Sequence, residues 1–141
     1  HRISIIAISQ RTQAWYREAV ESYGFGGRLA SIRALERPLS SIGGVQEEHA
    51  QALKALAERA VVEDGAEVII LAGAPLAGLA RSLHGQLPVP VVDGVSSAVR
   101  HAETLAALQP GRARHGSFAM PPAKPHRGLP DAIARLLDSP R

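Results

Sequence analysis

At 141 residues, the chain fits one domain of ordinary size, able to bury about two thirds of its unfolded surface. With 45% hydrophobic, 21% charged and only 4% aromatic residues, it reads as a soluble globular chain whose core is built from Ala, Val, Ile and Leu. The net charge of +3 comes from scattered residues, nearly all Arg, which argues against a nucleic-acid surface, and the absence of cysteine excludes disulfides, zinc–thiolate sites and thiol nucleophiles from this chain.

Arg2 to Ser9 is a short β-branched run expected to form a buried strand. Gln10 to Tyr23 carries Trp15, Ala19, Val20 and Tyr23 at helical spacing, and Gly24 is a natural stop. Arg28 to Glu36 interleaves apolar and polar residues and reads as a more exposed strand. Pro38 to Gly44, with Ser40, Ser41 and paired glycines, reads as a loop. Val45 to Asp64 is the longest predicted helix, with Leu53, Leu56, Ala57, Ala60 and Val61 among its apolar positions, and Gly65 ends it.

Glu67 to Ala72 is almost continuously apolar, as suits a parallel strand covered on both faces. A tight turn at Gly73-Ala74-Pro75 leads into a short helix from Leu76 to His84. Pro88 to Val92 reads as a strand that Pro90 confines to its beginning or to an edge. Gly94 to Leu108 is a helix, with Asp93 placed to cap it. Beyond Pro110-Gly111 the composition turns to Pro, Arg, His and Gly. Residues 111–141 therefore read as a tail, with a last helix over Leu129 to Leu137 and Pro130 in its first turn.

Four strand–helix alternations predict an α/β fold: a four-stranded parallel, doubly wound, flavodoxin-like sheet over residues 1–110. Such sheets bind ligands at the C-terminal ends of their strands. That rule singles out Ala7 to Gln10, Ala72 to Leu76 and Asp93 to Ser97. His49, His84 and His101 have no metal-ligand spacing, so no metal is expected. Ser9 is the hydroxyl nearest the strand ends, but no His stands at a motif spacing to activate it. No apolar run approaches the roughly 20 residues of a membrane span. With no charged leader before an apolar core, the cytoplasm is the default expectation, and the missing initiator Met suggests a fragment or a processed chain.

Three segments of the second half carry a resemblance to a known family. Glu63 to Leu79 (EDGAEVIILAGAPLAGL) is similar to a helix end and strand leading into Gly-Cys-Ala-Gly-Met. Val89 to Leu108 (VPVVDGVSSAVRHAETLAAL) matches a Val-Pro-Val-Ile-Asp-Gly-Val turn and Ala-rich helix. Gly116 to Lys124 (GSFAMPPAK), with Phe118, Pro121, Pro122 and Lys124, looks like a C-terminal signature. All three resemble the Asp/Glu/hydantoin racemase superfamily, hydantoin and allantoin racemases in particular. Arg2 to Gly24 is similar to the opening of that family's second lobe.

The resemblance implies one lobe of a two-lobed isomerase that moves a proton at Cα of a small amino-acid derivative or cyclic ureide without a cofactor. It sets Gly73 at the position of a catalytic cysteine, Ala72 and Pro75 on glycines, and Ala7 and Ile8 on a pair of threonines. Glycine offers no base, so no catalytic residue is assigned. The expected contacts to a small carboxylate or ureide are Ala7, Ile8, Ser9, Ala72, Gly73, Ala74, Asp93 and Gly94. Two rival readings remain. One is a catalytically degenerate lobe that binds a small anion or a partner. The other is a one-cysteine decarboxylase or isomerase relying on a missing N-terminal lobe. No nucleic-acid or membrane partner is expected, and a homo-oligomer, or pairing with a missing N-terminal lobe, is.

Overall fold

The structure, a computed structural model, describes residues 1–36, 41, 43–122 and 125–138. Of the residues singled out above, Pro38, Ser40 and Lys124 lie outside them. The chain divides into two compact units, His1–Ala107 and Leu108–Arg141.

In the first unit, β1 (Ile3–Ala7), β2 (Leu29–Ala34), β3 (Val68–Ala72) and β4 (Val91–Asp93) form one sheet in the order β2-β1-β3-β4. Every pairing is parallel. The inner strands β1 and β3 carry the most continuous apolar runs, because they are covered on both faces. α1 (Gln13–Ser22) connects β1 to β2 on one face, where Tyr16 and Val20 pack against Ile5, Ile32 and Ala72. α2 (Val45–Asp64) and the short α3 (Leu79–Ser82) cover the other. There Leu53, Ala57 and Ala60 meet Ile6, Ile69 and Leu71, with Leu76, Leu79 and Leu83 completing the main core. The reversal of direction after β1–β2 puts the two sets of crossovers on opposite faces, as right-handed connections require.

Several boundaries differ from the sequence reading. The first helix begins with a 3-10 turn, Gln10–Thr12. Its inward residues are Tyr16 and Val20, whereas Trp15 and Tyr23 are 69% and 78% exposed. The helical spacing was right in period but off in phase, because the larger aromatic lies on the outer face. The stretch before β4 stays irregular until Val91, since Pro88 and Pro90 lack the N–H groups a ladder needs. The helix expected over Leu76 to His84 is instead a 3-10 turn, Ala74–Leu76, followed by α3. The second strand is less exposed than its alternation suggests: Ile32, Ala34 and the following Leu35 are all buried.

α2 ends as its Gly65 predicts. That residue takes a left-handed conformation (φ 69°), and the next amide, of Ala66, reaches back to the Ala60 carbonyl at 3.1 Å. Beside this end, Arg33 on β2 donates to both Asp64 oxygens (2.7 and 2.8 Å) and to Glu63 (2.6 Å). Ser4, fully buried in β1, exchanges a hydroxyl hydrogen bond with Ser31 of β2 at 2.8 Å. These bonds satisfy polar groups that the parallel pairing brings beneath α2.

α4 (Gly94–Leu108) follows β4 directly, and none of its residues is buried. The second unit contains α5 (Asp131–Asp138), entered through Pro130, whose carbonyl accepts from Ile133 and Ala134. Phe118 is 92% exposed.

Candidate functional site

β1 and β3 end side by side, with Ala7 paired to Ala72 in the ladder. The side chains of both alanines are buried. Past them the chain opens into the two turns that shape the strand ends, at Ile8–Ser9 and Gly73–Gly78.

The first turn is held by Ser9. Its hydroxyl accepts from the Arg11 amide at 3.3 Å, and its carbonyl accepts from the Thr12 hydroxyl at 2.9 Å. Ile8 leans the other way and packs against the main core. In the second turn Gly73 has φ 124° and ψ 137°, a backbone region that residues with a Cβ rarely enter. A Cβ there would lie 3.6 Å from Ile8 Cδ1 and 3.7 Å from Pro75 Cδ, ordinary contact distances. Conformation, and not space, is what favours glycine at this position. The Gly73 carbonyl accepts from the Leu76 amide at 3.0 Å, and buried Leu76 anchors the turn in the core. Ala74 is exposed.

Asp93 ties this turn to α4. It is 3% exposed; one carboxylate oxygen caps α4 by accepting the Ser96 amide at 2.7 Å, and the other accepts the Gly78 amide at 3.2 Å. Burial works against ionisation, but the amides of Ser96, Gly78 and Val95 outweigh it and hold the carboxyl below the usual aspartate range. Asp93 is thus an ionised clamp, with both oxygens occupied. Gly94 is exposed at the start of α4.

Sequence reasoning missed Gln46. From the first turn of α2, its side-chain amide donates to the Pro75 carbonyl (2.7 Å) and the Ala77 carbonyl (3.0 Å). Two backbone acceptors of an otherwise irregular loop are satisfied by this one side chain. No local motif announces such a contact across 29 residues. Gln10 plays a similar part on the other side, donating to the Ala34 carbonyl at 3.1 Å. Among the described residues, no group of three acidic or histidine side chains is gathered to hold a metal ion. No helix of the described residues is long and apolar enough to cross a membrane.

The Asp/Glu/hydantoin racemase family model matches residues 1–102, and the chain belongs to that family. Among its relatives, the hydantoin racemase of Paenarthrobacter aurescens is 40% identical over 126 residues, covering 86% of this chain and 51% of the relative. The hydantoin racemase of Pseudomonas sp. (strain NS671) is 31% identical over 95% of this chain and 54% of the relative. The allantoin racemase structure from Klebsiella pneumoniae superposes with a TM-score of 0.78 at 34% identity, over 90% of this chain and 52% of that one. For allantoin racemase from Pseudomonas fluorescens the TM-score is 0.72 at 33% identity, over 91% and 55%. The chain therefore spans about half the length of the curated relatives it matches.

Proposed function

We propose that this chain is the ligand-binding lobe of a cofactor-independent isomerase, and that it receives a hydantoin, an allantoin-like ureide or a related small carboxylate at the Ile8–Ser9 and Gly73–Gly78 turns. The observation that carries this reading is the clamp of Asp93, which fixes the Gly73–Gly78 turn and the start of α4 against each other at the C-terminal ends of parallel strands. A rigid backbone cradle of this kind suits an imide or carboxylate whose negative charge grows as Cα loses its proton.

Proton transfer needs a base. The expected contact residues include one acid, Asp93, and both of its oxygens already accept hydrogen bonds. Gly73, set by the resemblance at the cysteine position, has none to give. The base is therefore supplied by another polypeptide segment facing this turn. Deuterium uptake at Cα of 5-substituted hydantoins and of allantoin in D2O, followed by proton NMR on this lobe together with the polypeptide segment that faces the turn, tests the reading. Exchange supports an isomerase. Binding of these compounds without exchange supports the second reading, a degenerate anion-binding lobe, which the occupied state of Asp93 favours. Neither binding nor exchange overturns both.

The assembly follows the same logic. Val95, Ala98, Val99, Ala102, Leu105 and Ala106 recur at helical spacing along α4 and none is buried. Val95, Val99 and Leu105 are 40%, 53% and 43% exposed. We infer that this stripe docks on the same stripe of a second copy of the chain. Light scattering at micromolar concentration should report a dimer that Val99→Glu dissociates; a monomeric parent overturns the inference.

A further inference from the structure

A groove of about 310 Å3 lies at the C-terminal end of the edge strand β2, on the side turned to the flank of α2. Its apolar wall includes Ala34, Ala52, Ala55 and Leu56, and Glu36, Arg59 and His49 also line it, His49 with its Nε2 3.8 Å from Glu48. This volume is at the small end of the range typical of small-molecule sites, about 300–1,000 Å3.

Glu36 and Arg59 are arranged so that neither uses up the other. Arg59 gives its Nε and Nη2 hydrogens to the two oxygens of Glu63, at 2.9 and 3.2 Å. Glu63 is itself held by Arg33 at 2.6 Å. The guanidinium is thereby pinned by one edge, and its Nη1 makes no hydrogen bond within the described residues. Glu36 is exposed and makes no hydrogen bond or ion pair there either, although its charge reaches Arg59. An acceptor carboxylate and a fixed pair of N–H donors thus flank an apolar surface of small side chains.

We propose that this groove binds a free α-amino acid with an aliphatic side chain. Its ammonium meets Glu36, its carboxylate meets Nη1 of Arg59, and its side chain lies on Ala34, Ala52, Ala55 and Leu56. A simple carboxylic acid leaves Glu36 unanswered, and a simple amine leaves Arg59 so. The zwitterion answers both. The site neighbours the Ile8–Ser9 turn, since Ala34 pairs with Ala7, but shares no lining residue with the Gly73–Gly78 turn and does not depend on chemistry there.

The test is a titration of the 15N-labelled chain with L-leucine, followed by amide shifts, beside 4-methylpentanoate and 3-methylbutylamine. Leucine should bind with millimolar affinity and shift amides at residues 34–36 and 52–59. Glu36→Gln and Arg59→Gln, both on exposed side chains, should each weaken it about tenfold or more, as should loss of either charge from the ligand. The proposal is overturned by an absence of shifts up to about 20 mM leucine, by unchanged affinity in either variant, or by shifts centred on residues 73–78 and 93–96. The last outcome would place leucine at the strand-end turns.

Discussion

Replacing Asp93 by alanine removes two bonds at once, and its cost can be worked out from what each holds. The 2.7 Å bond to the Ser96 amide is a helix N-cap, and losing such a cap typically costs about 1 kcal/mol. The negative charge at the start of α4 adds about 0.5 kcal/mol through the helix dipole. The Gly78 amide, at 3.2 Å, loses its acceptor, but Gly78 is exposed and water replaces part of the bond, leaving about 0.5 kcal/mol. Asp93→Ala is therefore expected to destabilise the lobe by about 2 kcal/mol, lowering Tm by about 8–16 °C for a unit of this size. Asp93→Asn keeps a capping oxygen and should lose about half as much.

Because the folded carboxyl titrates below its ordinary value, its ionic contribution is fully present above the unfolded pKa of about 3.9 and fades as pH falls through the lower folded value. Urea denaturation of the three proteins at pH 7 and near pH 3 measures both effects. The gap between parent and Asp93→Asn should narrow between pH 7 and about pH 3. An alanine variant within about 0.5 kcal/mol of the parent at pH 7, or an Asp93→Asn gap that does not shrink at all in acid, would refute the clamp.

Gly73→Ala should cost about 1–2 kcal/mol by chemical denaturation, because φ 124° is strained for any Cβ while the surrounding space is adequate; a neutral result would mean that the turn relaxes. Gln46→Ala should cost about 1 kcal/mol for the loop carbonyls it leaves, and hydrogen exchange should quicken at residues 74–78, with β1 unaffected. Arg33→Ala should cost about 1–2 kcal/mol, since it leaves Asp64, only 20% exposed, without its guanidinium. The Arg33 hydrogen bonds hold the Asp64 carboxyl low against the opposing effect of burial, with Ser31 helping. Like that of Asp93, this contribution is present above about pH 4 and lost in acid. A thermal-melt double-mutant cycle with Asp64→Ala should therefore show coupling at pH 7 that is smaller near pH 3.

Strand identity was legible because β1 and β3 are covered on both faces, which forces the near-continuous apolar runs at Ile3–Ala7 and Val68–Ala72. The cap was legible too, since Asp before a helix start is local chemistry. Trp15 was misread for a physical reason: its spacing fits a helical stripe, but pattern alone does not say which of Trp15 and its neighbour Tyr16 faces the sheet. Gln46, Gly78 and Arg33 were invisible because each meets its partner only after the sheet brings distant segments together.

The strand-end turn shows how these levels combine. Topology alone directs attention to Gly73, and on the reading proposed above a cysteine of the family falls there. The backbone adds a third constraint, since φ 124° suits glycine whatever the chemistry. A thiol introduced by Gly73→Cys would therefore have to reshape a turn that Leu76, Gln46 and Asp93 hold from three sides. The same bonds that would make the turn a cradle make it a poor place to gain a base by one substitution. Gly73→Cys should accordingly gain no deuterium exchange on its own, and a variant that does would show that the turn yields more easily than its hydrogen bonds imply.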